Sequence, residues 1–105
     1  PSGTAKEIGH LIADELGLDL DEIARYQRLG KGTRSSATID YSSIRTGNYA
    51  TSHRVIFGFE NEKLELSFDG YNMYPFAGGI LDAVVYLHNK NLGFYTIEQA
   101  FGLKD

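Results

Sequence analysis

The residues best suited to chemistry stand at the start of the chain, where residues 1–7 read Pro-Ser-Gly-Thr-Ala-Lys-Glu. Thr4 fits the N-cap of a helix, and Glu7 three residues later completes a capping box. Ser2 and Gly3 add a hydroxyl and an unhindered backbone N–H. Free N–H groups and the positive end of a helix attract anions, so this run predicts a site for a carboxylate or a phosphate. The alternative, which is the commoner case, is a helix cap that binds nothing.

The other polar groups of the sequence favour structural roles. His10, His53 and His88 stand far apart, and none has metal-ligand spacing to another histidine or to a carboxylate. The glycine pair at 78–79 falls inside a helical pattern, where close packing is favoured over phosphate contact. Residues 26–36 are rich in Gly, Arg, Lys and Ser. We expect a loop there, with its cations either solvated, the favoured alternative, or turned toward an anion. No metal ligand and no catalytic residue is expected in this chain.

Length and composition restrict the class of protein. A chain of 105 residues has the size of a single domain, spanning residues 1–105. A net charge of −4 provides no basic stripe for nucleic acid, and no apolar run approaches the roughly 18 residues that cross a bilayer. The absence of cysteine fits a reducing, cytoplasmic compartment. Because the chain opens inside a helix-start motif without an initiator methionine, we expect it to be a piece of a longer protein.

Helices are expected to position the opening run. Apolar residues recur behind it at helical spacing, so a helix should span residues 4–16 and stop at Gly17. Lys6, on the first turn of that helix, would meet an anion bound at its start. Residues 18–24 predict a short second helical turn, for which Asp19 is the candidate cap.

Strands are expected in the middle of the chain. Side chains alternate between apolar and polar over residues 53–60 and 63–69, which should form an antiparallel hairpin, and residues 37–45 are rich in β-branched residues. With helices on either side, the chain is predicted to be α+β. Its sheet is expected to be mostly antiparallel or mixed, with about four strands and helices packed on one face.

A long apolar helix is expected after the hairpin. It should span residues 76–88, with Pro75 in its first turn. Its apolar residues form two adjacent stripes, one of Phe76, Ile80, Ala83, Val84 and Leu87, and one of Ala77, Leu81 and Val85. A helix this apolar is covered on more than one side, so another chain or domain is expected to cover it. Thr96 should cap a last turn over residues 97–101.

Several short runs occur in a fixed order along the whole chain. They are Pro-Ser-Gly-Thr-Ala at 1–5, Ser-Ile-Arg-Thr-Gly at 43–47, the strand histidine His53, Leu-Glu-Leu at 64–66, Phe-Ala-Gly-Gly-Ile at 76–80, Gly-Phe-Tyr-Thr-Ile at 93–97 and Phe-Gly-Leu at 101–103. Taken together, they resemble the C-terminal domain of the dihydrodipicolinate reductases, the enzymes of lysine and diaminopimelate synthesis.

The resemblance implies a function for the opening run. In that family the C-terminal domain binds the cyclic dicarboxylate substrate and forms a homotetramer through its sheets. The family motif places a substrate carboxylate on Gly3 and Thr4, with Ser2 assisting, and implies a cofactor contact for Phe76. The family's catalytic His and Lys precede the opening run, and so does the domain that binds NADH or NADPH. This chain alone would therefore bind no cofactor and transfer no hydride.

The chain also departs from the family pattern. After the Leu-Glu-Leu strand the family has a His-Lys-x-x-x-Arg run, where this chain has Phe68, Asp69 and, at the arginine position, Met73. Ser52 stands where the family has a glutamate before the strand histidine. These departures leave an alternative open, namely a non-catalytic self-associating module or a domain of a diverged dehydrogenase with a different ligand.

Overall fold

The computed structural model describes residues 1–35 and 37–105, which form two compact units, Pro1–Thr46 and Gly47–Asp105. The first unit contains α1 (Gly3–Leu16), α2 (Leu20–Ile23), β1 (Ala24–Arg25) and β2 (Ile39–Asp40). The second contains β3 (Thr51–Gly58), β4 (Lys63–Gly70), α3 (Tyr74–His88) and α4 (Ile97–Ala100). Each unit combines helices with a small sheet, which confirms the predicted α+β class.

The end of α1 follows the prediction. Gly17 adopts a left-handed conformation, with φ of 66°, which a glycine reaches without the steric cost of a Cβ. Its N–H donates to the carbonyl oxygens of Ala13 and Asp14, and the N–H of Leu18 donates to Ala13 at 2.9 Å. The last carbonyls of the helix are thereby satisfied, as a Schellman-type end requires.

A small core holds the first unit together. Ala13 of α1 is 1% exposed and packs with three further buried residues, Leu20, Ile23 and Ala24, while Ile39 and Tyr41 cover them in part. Burial raises the pKa of the Tyr41 phenol. The rings of Tyr41 and Tyr26 are stacked, with their centroids 5.1 Å apart.

The sheet of the first unit differs from the prediction. β1 and β2 form a parallel pair with Ala24 opposite Ile39, and β1 occupies the end of the segment that was expected to be helical. The predicted strand over residues 37–45 is reduced to Ile39–Asp40 within its described part. Two-residue strands carry no alternation that a sequence pattern can detect. The described residues therefore hold two separate two-stranded sheets, where one sheet of about four strands was expected.

The basic loop is tied to β2 by one ion pair. Residues 26–35 contain neither helix nor strand, as predicted, while Ser36 lies outside the described residues. The Arg28 guanidinium donates twice to the Asp40 carboxylate, which also accepts from the Thr38 hydroxyl at 3.0 Å. The hydrogen bond from Arg28 holds the pKa of Asp40 below its usual value. One of the loop's cations therefore serves the fold.

The predicted hairpin is confirmed. β3 and β4 pair antiparallel from Thr51 opposite Gly70 to Gly58 opposite Lys63, and the Phe59 N–H closes the turn on the Glu62 carbonyl at 2.8 Å. One side, called here the hairpin apolar face, is formed by Thr51, His53, Val55, Phe57, Leu64, Leu66, Phe68 and Gly70. The other side is mainly polar, and there Glu65 meets Arg54 at 3.1 Å and Lys63 at 3.0 Å.

The helices of the second unit keep their predicted positions. α3 begins at Tyr74 with Pro75 in its first turn, and Thr96 and Gln99 form a capping box at the start of α4. Phe76 meets Phe68 edge-on, at 6.2 Å between ring centroids, so α3 contacts the hairpin on the apolar face. Within α3, all of which the structure describes, no side chain is buried.

Replacing Gly9 by alanine should destabilise the first unit. A Cβ at this position would overlap the hydroxyl of Tyr41, which lies against α1 with no hydrogen-bond partner among the described residues. Overpacking of this kind costs about 1–3 kcal/mol. We expect the free energy of unfolding, measured with urea, to fall by that amount in Gly9→Ala, and Tyr41→Phe in the same chain to recover part of it.

The control is Gly78→Ala in α3, where a new Cβ would lie in open space. This substitution should stabilise the helix by about 0.5–1 kcal/mol, because glycine loses more backbone entropy than alanine on folding. Equal gains at Gly9 and Gly78 would contradict the contact between α1 and Tyr41.

Candidate functional site

The start of α1 is the candidate anion site, and its cap differs from the prediction. Ser2 is the N-cap, with extended backbone and its hydroxyl oxygen accepting from the Ala5 N–H at 3.2 Å. The predicted cap at Thr4 is wrong, since Thr4 already lies inside the helix. The capping box with Glu7 is wrong for the same reason, because the residue three positions after the cap is Ala5.

This shift changes which N–H groups stand at the positive end of the helix. With Ser2 as cap, its hydroxyl and carbonyl oxygens take up the N–H groups of Ala5 and Lys6. Within the described part of the chain, no acceptor is recorded for the N–H groups of Gly3 and Thr4. Two adjacent donors at the positive end of a helix match the two oxygens of a carboxylate.

The surroundings of these donors are open and slightly favourable to an anion. Ser2, Gly3 and Thr4 are exposed, and a Cβ at Gly3 would meet no atom within 4 Å. The first turn of α1 carries no acidic residue, and the Lys6 side chain close to it is exposed. An exposed helix end contributes only about 0.3–1 kcal/mol to anion binding. The site therefore needs donors from outside these residues to bind tightly.

Phe76, the predicted cofactor contact, lies in the second unit, in the first turn of α3. This residue is 41% exposed, and its ring meets that of Phe68 edge-on. An exposed aromatic ring anchored by an edge-on neighbour can stack on another planar ring. Ser2, Gly3 and Thr4 are thus brought together by one helix, and Phe76 stands on another element.

Two of the positions that depart from the family pattern face each other. Ser52 lies directly opposite Asp69 in the hairpin, and its hydroxyl donates to the Asp69 carboxylate at 2.6 Å. The register of the hairpin, which the sequence pattern alone does not give, brings these two positions together. A glutamate and a lysine at these positions would form a cross-strand ion pair. Here a neutral donor meets a carboxylate, so the exchange preserves the link between the strands.

Two tyrosines, Tyr49 and Tyr71, flank the end of the hairpin opposite its turn. The rings of Tyr49 and Tyr71 lie 5.2 Å apart, and the neighbouring Tyr49 phenol raises the pKa of Tyr71. Met73, at the position of the family's arginine, is 65% exposed. The cation expected from the family is replaced here by an apolar, uncharged surface.

The described residues offer neither a cluster of metal ligands nor a helix that could span a membrane. Over residues 1–35 and 37–105 no group of three or more His, Cys, Asp or Glu side chains is placed to hold a metal ion. None of the helices described is both long enough and apolar enough to cross a bilayer.

Comparison with known proteins gives a consistent result along the chain. The family model described as "Dihydrodipicolinate reductase, C-terminus" matches residues 1–101. A 4-hydroxy-tetrahydrodipicolinate reductase from Pseudoalteromonas atlantica is 40% identical over 104 residues, which are 98% of this chain and 39% of that protein. The protein of the same name from Colwellia psychrerythraea is 38% identical over 106 residues, which are 100% of this chain and 40% of that protein. This chain thus spans about two fifths of the length of these relatives.

The position of the cap can be tested by two alanine substitutions. Ser2→Ala should lower the free energy of unfolding by about 1 kcal/mol, because the Ala5 N–H loses its acceptor. Thr4→Ala should leave stability unchanged or raise it by up to about 0.5 kcal/mol, because alanine is the better residue inside a helix. Urea unfolding of both variants measures the difference, and a larger loss at Thr4 than at Ser2 would restore the cap predicted from the sequence.

Proposed function

Since the chain belongs to the family of dihydrodipicolinate reductase C-terminal domains, we propose that it is the substrate-binding and oligomerisation domain of a 4-hydroxy-tetrahydrodipicolinate reductase. The whole protein would reduce a cyclic dicarboxylate in the lysine and diaminopimelate pathway, in the cytoplasm. The observation that carries this proposal is the pair of adjacent free donors on Gly3 and Thr4, at the run the family motif assigns to a substrate carboxylate.

The proposed binding step uses one helix end. The N–H groups of Gly3 and Thr4 and the hydroxyl of Thr4 would donate to one carboxylate of the substrate, and Ser2 would hold the turn in place. Because the site is exposed, each of these hydrogen bonds contributes about 1 kcal/mol. The remaining affinity and the proton transfer belong to residues outside this chain, where the family places its His and Lys.

The cofactor contact proposed here is a single ring. NADH or NADPH, when bound to the whole protein, supplies the hydride. Phe76 would offer its exposed ring to a planar part of that molecule, while Phe68 holds the ring from the side.

Self-association into a homotetramer is the second proposed role. Leu64 and Leu66 on the hairpin apolar face are 52% and 58% exposed, and on α3 Leu81 and Val85 are 65% and 72% exposed. An isolated two-stranded hairpin is marginally stable in water, and large contiguous apolar patches are typical of interaction surfaces. A second copy of the chain is proposed to cover the hairpin apolar face, and α3 is proposed to contribute its exposed stripe.

The alternative proposal is a self-associating module, or a domain of a diverged dehydrogenase, with a different ligand. Met73 favours it, since an exposed thioether replaces the family's arginine. The two proposals agree on assembly and differ on the ligand of α1.

Binding of a dicarboxylate tests the first role. In the ¹⁵N-labelled chain, pyridine-2,6-dicarboxylate should shift the amide resonances of Gly3 and Thr4 more than the others. Thr4→Val should weaken this binding about tenfold, because it removes one donor to a charged acceptor. Thr33→Val, in the exposed loop, is the matched control and should bind as the wild-type chain does. Shifts that leave Gly3 and Thr4 untouched would favour the alternative.

A pair of substitutions tests the second role. Leu66 and Ile56 are 58% and 56% exposed but project from opposite faces of the hairpin. Leu66→Asp should raise the dissociation constant of the assembly about a hundredfold, because it would bury an unpaired charge in the interface. Ile56→Asp should leave it within a few fold. Sedimentation equilibrium gives both constants, and the reverse order of effects would place the interface on the polar side.

A further inference from the structure

The hairpin apolar face carries one side chain that changes its charge near neutral pH. His53 is half-buried in β3, directly opposite Phe68, and shares the face with Val55 two residues on. By the same register, every Asp, Glu, Lys and Arg of the two strands projects from the opposite side. The face is therefore uncharged when His53 is neutral and carries a single positive charge when it is protonated.

Among the described residues, no carboxylate forms an ion pair with His53. α3 meets it through Phe76, and Tyr49 and Tyr71 stack beyond the open end of the hairpin. The titratable residues of α3 are Tyr74, Asp82, Tyr86 and His88. The one carboxylate among them, Asp82, follows Phe76 by six residues, about 9 Å along the helix axis.

Within the part of the chain that the structure describes, the hydrogen-bond partner of the His53 imidazole is a hydroxyl. The His53 Nε2 lies 2.9 Å from the Thr51 Oγ1. The Thr51 hydroxyl can donate to a neutral ring, and its oxygen can accept from a protonated one, so this contact survives protonation. It does not neutralise the charge, and a charge removed from water without a partner costs several kcal/mol.

We propose that His53 makes self-association through the hairpin apolar face dependent on pH, with assembly by the neutral form and release on protonation. This inference rests on the proposed self-association. With His53 neutral, the uncharged face is complementary to the same face of a second copy. With His53 protonated, each copy would bring a cation to an apolar interface.

The size of the effect follows from proton linkage. Histidine ordinarily takes up its proton near pH 6.5. If only the separated chains accept that proton, association should weaken about tenfold between pH 7.5 and pH 5.5 for each His53 that is buried. The sign is fixed, because the assembly is favoured at high pH and lost as the pH falls through the histidine range.

Sedimentation equilibrium of the 105-residue chain at pH 7.5, 6.5 and 5.5 tests the inference. His53→Gln keeps a hydrogen-bonding group beside Thr51 but takes up no proton, so its dissociation constant should change less than twofold over this range. His10→Gln, on the exposed part of α1, is the matched control and should behave as the wild-type chain does. Far-UV circular dichroism verifies the fold at each pH, and His53→Asn provides the same comparison should His53→Gln unfold.

The possible results distinguish a failure of the inference about His53 from a failure of the proposed self-association. Loss of assembly at pH 5.5 in the wild-type chain alone supports a role for His53. Equal loss in wild type and His53→Gln overturns it, because another group is then responsible. An assembly that is constant with pH overturns it while the proposed self-association stands. A wild-type chain that is monomeric at pH 7.5 overturns both.

Discussion

The antiparallel register between β3 and β4 determines the surface chemistry of the second unit. It places Val55 opposite Leu66 and Arg54 opposite Ser67, so apolar and polar side chains separate onto two faces. A slip by one residue would mix the two sets, because side chains alternate with a period of two. The turn at Phe59 and Glu62 and the cross-strand ion pair between Arg54 and Glu65 oppose such a slip. The exposed face that we propose as an interface exists only in this register.

The same register links two of the positions at which the chain departs from the family pattern. When each position is compared separately with the family pattern, Ser52 replaces an acidic residue and Asp69 replaces a basic one. In the hairpin they are one pair joined by a hydrogen bond of 2.6 Å. Phe68, another departure, packs against Phe76 and extends the apolar face. These positions keep the architecture of the hairpin, and Met73 is the departure on which the alternative proposal rests.

The parts of the fold that sequence analysis predicted are those with repeated local signals. Alternation over residues 53–60 and 63–69, glycine at position 17 and the Thr96 cap each act through neighbouring residues. The parallel pair of β1 and β2 depends on residues 15 positions apart and on the packing of Tyr41 beside Gly9. No local pattern contains that information, so β1 and its pairing with β2 were missed, although β2 lies within a predicted strand. The family resemblance, by contrast, was predicted from the order of short runs and is confirmed by the match over residues 1–101.

The start of α1 shows how moving the cap by two residues, from Thr4 to Ser2, alters a site. Ser2 and Thr4 are both good caps, and a sequence pattern cannot choose between them. With Thr4 as cap, its hydroxyl would be turned inward to accept from the helix. With Ser2 as cap, Ser2 takes that task, and Thr4 lies inside the first turn of the helix. Because the helix end is exposed and each of its terms is small, the carboxylate contact that we propose there depends on the rest of the protein for affinity.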